Sequence, residues 1–288
     1  MFEICKKMIG GLDMLQAKKV PLKAGAQERS YYKYYLREMT EIPQEKQEFL
    51  KNPKGDPKDA LRIEDRNKLF EEGYLADEKG YFMLENGTGV VGNNTYFKGA
   101  TGAMLQWWFA WHGIDPLRYA IWDPYDHYDL EINKEARMKM LSPDVSIPDK
   151  CYDVDHLVTE SLVMGTEPVK LLIGFKNPAS MGYDTSKIFT DKCSFLVCAN
   201  VLILPEDGSK VPVVMTHMAR DIEGGCELRS RFWMGYQIID GVPKKMIPDG
   251  MVFPEPVVAD LLGHNFAEFT NLAAILPEVY AEEKDNWV

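Results

Sequence analysis

Five runs with the length and composition of β-strands follow one another with no helix between them: His156–Met164, Val169–Phe175, Phe195–Leu204, Val211–Met218 and Arg231–Ile239. Turns containing Gly or Pro separate them, and Pro205–Ser209 has the composition of a hairpin turn. Strands that succeed each other without crossover helices pair with their chain neighbours, so the sequence predicts an antiparallel meander. One long helix, about Glu255–Leu276, comes after them. Upstream, Ala103–His112 is densely aromatic, with Leu105, Trp107, Trp108, Phe109 and Trp111, and reads as a buried helix ended around Gly113 and Pro116. This order predicts an α+β fold of helix-grip type, in which a bent sheet wraps the long helix and leaves a cavity between them.

The preceding residues differ in texture. Residues 1–75 read as mostly helical and polar. Ser30–Glu41 sets tyrosines among Lys, Arg and Glu, Pro43–Lys58 is a charged, proline-punctuated loop, and Asp59–Gly73 reads as another short helix. With few bulky aliphatics, this region should pack on something else. The division predicted is a small, mostly helical N-terminal domain over 1–85, acting as dimer contact or lid, and a helix-grip catalytic domain over 86–288. Where they meet, Asn86–Thr101 is rich in Gly and Asn and reads as loop plus short strand. Its GTGVVG matches neither GxGxxG nor a P-loop, so these glycines are read as turns.

Composition narrows the function classes. Hydrophobic residues are 45% and charged residues 27% of 288, enough for a substantial core and unlike a disordered chain. The formal charge is 33 − 44 = −11, which argues against nucleic acid or an acidic lipid surface as partner. The five cysteines, Cys5, Cys151, Cys193, Cys198 and Cys226, form no CxxC pair, so a disulfide framework or cysteine zinc cluster is not expected. A reducing, cytoplasmic compartment fits that usage. Met1–Lys7 is too short and too charged for the apolar core of a signal peptide. No run approaches the ~20 apolar residues of a membrane helix.

The sharpest local signal lies in the C-terminal helix, at His264-Asn265-Phe266-Ala267-Glu268. Residues four apart share a helix face, so His264 and Glu268 fall on one stripe with Leu261, Asn271, Leu272 and Ile275. A carboxylate on a core-facing stripe costs several kcal/mol unless a cation or hydrogen bonds oppose it. A His–Glu hydrogen bond on a partly exposed helix would satisfy that; so would a metal site, which needs more ligands of the same kind. The histidines are His112, His127, His156, His217 and His264. His127 lies in an aromatic, irregular segment suited to a pocket wall, Arg118–Tyr128. In the strand around Glu160, period two puts His156, Val158 and Glu160 on one side. His217 follows the apolar run Val211–Met215 and reads equally as a satisfied strand histidine or a functional one.

The ordered set Trp107–His112, Pro116-Leu117-Arg118-Tyr119, His127, Glu160 and the HxxxE helix resembles the diacetylphloroglucinol hydrolase and phloretin hydrolase family, over about Gly92–Glu278. That resemblance implies a Bet v 1-like helix-grip catalytic domain behind a smaller N-terminal one, and a homodimer. It implies one zinc per chain, held by His127, Glu160, His264 and Glu268. It also implies that His217 and Tyr119 contact phenolic oxygens. Two pocket positions depart from the family's pattern: Leu130 stands where an asparagine is expected, and Phe232 where a tyrosine is. Both would retune the pocket for a different acyl chain.

The activity implied is hydrolysis of the carbon–carbon bond joining an acyl group to a polyhydroxylated ring, with a small aromatic ketone as substrate. Such bonds resist hydrolysis because the leaving group would be an aryl carbanion. Flanking hydroxyls let the ring tautomerise, which puts a proton on the acyl-bearing carbon and makes a stabilised enolate the leaving group. His217 and Tyr119 would bind phenolic oxygens and assist that transfer, while zinc would polarise the carbonyl or acidify water. The rival from another class is a non-catalytic helix-grip carrier of aromatic or lipid ligands, which has no use for four metal ligands. A di-iron carboxylate bundle would need repeated Glu-x-x-His pairs on several helices, and only one HxxxE is present among many strands.

Overall fold

The computed structural model describes residues 18–288, so the reading of Met1–Lys7 and of Cys5 lies outside the described residues. Its frame is an eight-stranded antiparallel sheet built from β1 (Gly80–Met83), β2 (Gly89–Lys98), β3 (His127–Ile132), β4 (Val154–Glu160), β5 (Val169–Lys176), β6 (Phe195–Leu204), β7 (Val211–Ile222) and β8 (Gly225–Met234). The strand order is β1-β2-β8-β7-β6-β5-β4-β3. Six consecutive strands therefore form the expected meander, and the β1–β2 hairpin adds to its far edge. A separate hairpin pairs β9 (Tyr236–Ile239) with β10 (Val242–Lys245).

Seven α-helices accompany the sheet among the described residues: α1 (Tyr32–Leu36), α2 (Gln44–Phe49), α3 (Gly102–Trp111), α4 (Pro116–Trp122), α5 (Lys134–Leu141), α6 (Ile147–Cys151) and α7 (Glu255–Glu283). The side chain of Thr101 caps α3, and Asp115 caps α4 with Pro116 at its first position. Helix α7 packs against β1 and β2 and touches α3 and α4. The arrangement is the α+β helix grip that the sequence predicts. No helix among the described residues is long and apolar enough to cross a membrane. The four described cysteines are free and buried.

Alternation explains which residues enter the core. Along β4 the inward set is Val154, His156, Val158 and Glu160, all buried. From α7 come Leu262, Phe266, Phe269, Leu272 and Leu276, which meet the aromatic face of α3 and the inner face of the sheet in one cluster. Burying a side chain of this size stabilises by about 1.5–3 kcal/mol.

Local elements differ from the sequence expectation in three places. Asn86–Thr101, expected as loop plus short strand, contains the ten-residue β2. Glycine was read there as a turn signal, whereas Gly92 is a site of close approach: a Cβ would sit 1.9 Å from the Asp77 carbonyl oxygen. The single strand expected over Arg231–Ile239 breaks at Gly235, whose φ of 92° ends β8 and starts β9. Helix α7 runs on past Pro277 to Glu283, because residues beyond the proline have tertiary partners. Tyr280 packs edge-on to Trp107 at 5.2 Å, and Tyr34 donates a hydrogen bond to Glu282.

Residues 18–79 lie over both faces of this frame. Tyr31 and Tyr34 belong to the main core cluster, while Leu61, Ile63, Leu69 and Phe70 join Trp233 in a second cluster on the outer face of the sheet. Asp77 and Arg231 form a fully buried bidentate pair, at 2.9 and 3.0 Å, that ties this segment to β8.

Candidate metal centre and its cavity

Three elements bring imidazoles and carboxylates to one point. Helix α4 ends at Trp122, and the Asp123 side chain accepts from the backbone N–H groups of Tyr125 and Asp126 in a turn that delivers His127 to the start of β3. In the β3–β4 register His127 stands opposite Glu160, the last residue of β4. The third element is α7, which presents His264 and Glu268 one turn apart, each only 7% exposed. The stripe that looked anomalous in sequence is therefore buried from His264 to Ile275, with only Leu261 partly exposed.

Ligand atoms of His127, His264 and Glu268 lie within 4.8 Å of one another. His127 Nε2 is 3.8 Å from Glu268 Oε2 and 3.9 Å from Glu160 Oε2. On its other side, His127 Nδ1 is 3.1 Å from the Tyr119 carbonyl oxygen. A carbonyl only accepts, so Nδ1 carries the proton and Nε2 turns its lone pair toward the two carboxylates. Burial holds the His127 imidazole well below its ordinary pKa, which keeps that lone pair free. The Nε2 lone pair of His127 thus faces two carboxylate oxygens. Both distances are less than twice the ~2.0–2.2 Å of a zinc–oxygen or zinc–nitrogen bond.

The carboxylates carry the same message. Burial pushes Glu268 up to about 8 against the opposing pull of His264. Glu160 is raised by burial too, with His264 again opposing. Among the described residues His264 Nδ1 is buried with no hydrogen-bond partner, and it lies 3.7 Å from Asp126 Oδ2. Asp126 Oδ1 and Asp123 Oδ2 are likewise buried and unpaired among those residues. Asp123, Asp126 and His264 form a second group with ligand atoms within 4.8 Å. So many buried acceptors facing two imidazoles fit a bound divalent cation, and the donor set of imidazole nitrogen and carboxylate oxygen suits zinc.

The centre opens onto a cavity between α7 and the sheet. His112, Tyr119, His156, Glu160, His217, His264 and Glu268 supply its polar lining. The rest is apolar, including Leu171, Ile173, Val201, Met215, Phe232 and Leu261. The Tyr119 ring stacks on His127 at 3.8 Å, and its hydroxyl donates to Glu160 Oε2. Burial, then the Glu160 charge, keeps that phenol protonated far above its ordinary range. His217 Nδ1 bonds Ser230 Oγ at 2.8 Å, and its ring is walled by Phe109, Phe232 and Phe269. Burial pushes His217 down to about 3, so it is a neutral imidazole.

Of the four metal-ligand candidates named from the sequence, His127, His264 and Glu268 form one group, Glu160 lies 3.9 Å from His127, and Tyr119, His217 and Phe232 line the adjoining cavity. Leu130 is buried opposite Val158 on the β3–β4 ladder and is not among the lining residues. Sequence reasoning passed over Asp123 and Asp126. Their signal was present in Asp123-Pro124-Tyr125-Asp126, two carboxylates in an aromatic segment immediately before a candidate ligand. It also passed over His112 and His156, whose rings meet at 5.6 Å in the cavity wall.

A helix grip with a buried imidazole–carboxylate group able to hold a metal defines the class of protein. The family model described as "DAPG hydrolase PhiG domain" matches residues 61–281. A phloretin hydrolase from Eubacterium ramulus is 42% identical over 262 residues, covering 90% of this chain and 92% of that protein. A 2,4-diacetylphloroglucinol hydrolase from a Pseudomonas species is 30% identical over 230 residues, covering 76% of each. The chain belongs to the DAPG hydrolase family. Among solved structures, Ara h 8.0201 matches at TM-score 0.40 with 11% identity, over 67% of this chain and 99% of that one. A norcoclaurine synthase from Thalictrum flavum matches at TM-score 0.37 with 14% identity, over 66% of this chain and 87% of that one.

Proposed function

We propose that this protein is a zinc-dependent hydrolase that cleaves the bond between an acyl carbon and a polyhydroxylated aromatic ring. The products are a phloroglucinol-type phenol and a carboxylic acid. One observation carries the reading: the His127 lone pair faces two buried carboxylates at 3.8 and 3.9 Å, at the wall of a largely apolar cavity. The names of the relatives supply the substrate class, phloretin or diacetylphloroglucinol.

His127, Glu160, His264 and Glu268 would hold the ion. Bound there, zinc supplies a Lewis acid for the acyl carbonyl and for water. The chain's own residues do the rest. His217, neutral and anchored by Ser230, would hydrogen-bond a phenolic oxygen of the ring and assist its tautomerisation by positioning it. Tyr119 stays protonated and offers a donor beside Glu160. Phe109, Phe232 and Phe269 orient the flat ring and keep water from it. The oxygen of water ends on the acyl carbon and a proton on the ring carbon, which balances the hydrolysis. Phe232, which lines the cavity, would tune the pocket to the acyl chain. The same reading takes the enzyme as a cytoplasmic homodimer whose N-terminal residues over 1–85 cover the cavity or join the subunits. A carrier of aromatic ligands would gain nothing from buried, mutually repelling carboxylates at the cavity wall.

The test pairs elemental analysis with a spectrophotometric assay on phloretin and diacetylphloroglucinol. About one zinc per chain and release of the phenol are expected. His264→Ala and Glu268→Ala should each lose metal and turnover together. Full activity in a metal-free variant would sink the scheme.

A further inference from the structure

Lys46 is the buried residue of α2 and the charge least explained by the site described so far. Among the described residues no carboxylate forms an ion pair with it. Its Nζ donates instead to Asn93 Oδ1 at 3.2 Å and to Thr95 Oγ1 at 2.9 Å, both on β2. It also lies 4.5 Å over the Phe266 ring of α7. Burial pushes the ammonium down to about 8, which marks a cation held at a cost.

The hydrogen bonds continue inward. Asn93 Nδ2 donates to Asn265 Oδ1 at 2.6 Å, and Asn265 Nδ2 donates to Glu268 Oε1 at 2.8 Å. Both asparagines are fully buried. Glu268 is thereby divided: Oε1 is taken by the amide, and Oε2 is the oxygen that faces His127. An amide has a donor end and an acceptor end, and alone it can turn either one to a neighbour. An ammonium only donates. It therefore draws Asn93 Oδ1 toward itself, sends Nδ2 onward, and makes Asn265 present a donor to Glu268. Every dipole in the chain then runs from the cation toward the carboxylate.

We infer that Lys46 is a positioning residue for Glu268, acting through Asn93 and Asn265 to hold one carboxylate oxygen aside and turn the other to the metal. The inference rests on the metal reading proposed above. It gives the N-terminal segment a part in the site, since a residue of α2 sets the polarity of a chain ending on a ligand of α7.

Zinc affinity of the full-length protein, measured by competition with a chromogenic chelator, tests it. Lys46→Met should bind zinc about tenfold or more weakly, the usual size for a partner behind a ligand. The metal-free melting temperature should stay level or rise, because a desolvated cation has been removed. A purely structural lysine would do the reverse. Asn265→Ala should show a similar loss, and adding Lys46→Met to it should weaken binding no further. If Lys46→Met does not fold, Asn93→Leu cuts the same chain one link on and must give the same loss. Unchanged affinity in these variants, or losses that add, overturns the inference while leaving the metal reading intact. A parent protein that binds no zinc overturns both.

Discussion

At the residue scale, His264 sits between two sets of carboxylates. Glu268 and Glu160 lie toward the cavity, and Asp123 and Asp126 toward the turn after α4. Burial works against its charged form, but Asp126 and the other three carboxylates outweigh that and raise it to about 10. A carboxylate behind a ligating imidazole fixes its tautomer: a proton held on Nδ1 leaves the Nε2 lone pair for the metal. Asp126→Asn, which keeps the size and removes the charge, is expected to weaken zinc binding about 10–100-fold. An unaltered dissociation constant would reduce Asp126 to a bystander. Lys46 gives a prediction in pH. Its folded pKa, about 8, lies below the ordinary 10.5, so between those values the unfolded chain binds more protons. Stability must therefore rise with pH through that window. The gain is on the order of 3 kcal/mol, visible as the difference in denaturation midpoints between the parent and Lys46→Met. A difference that is flat from pH 8 to 10.5 would contradict the burial of its charge.

At the element scale, β2 joins the parts. One face of the strand carries Asn93 and Thr95 toward Lys46 and α7, and Gly92 lets the Asp77 carbonyl approach. Asp77 in turn clasps Arg231 of β8 and accepts from the backbone N–H of Leu61. Gly92→Ala would thrust a methyl group to 1.9 Å from that carbonyl, so strand or segment must move. A loss of about 1–3 kcal/mol or more is expected by thermal or urea denaturation. A variant as stable as the parent would mean that the segment around Asp77 yields without strain. Helix α7 argues in the same direction, because contacts with Trp107, Tyr34 and Arg37 carry it past a proline that local propensity treats as an end.

At the scale of the whole molecule, the centre gathers residues from α4, β3, β4 and α7, with α2 behind them through the amide chain. Bound metal must then stabilise the fold as a unit, since these donors meet only in the native state. Zinc at a hundredfold excess over its dissociation constant adds about 2.7 kcal/mol, which should raise the melting temperature by roughly 5 °C. Calorimetry with and without chelator checks this. The absence of any shift would mean that His127, Glu160, His264 and Glu268 do not share an ion.

Much of this was legible in the residues themselves. Strand length, composition and turn chemistry were enough for the meander, because all three are local properties of the chain. The inward side of β4 followed from period two, and the misfit of His264 and Glu268 on an apolar helix stripe followed from period 3.6. What tertiary structure decided is of another kind. Only the β3–β4 register sets Glu160 against His127, and only the crossing of α7 turns Glu268 to both. Asp126 leaves a local signal beside His127 but none that pairs it with His264, and Lys46 behind Glu268 has no signature at all, since each acts across the fold on a residue more than a hundred positions away. Local pattern records what a residue does to its own segment. The meaning of a buried charge depends on which distant segment is folded against it.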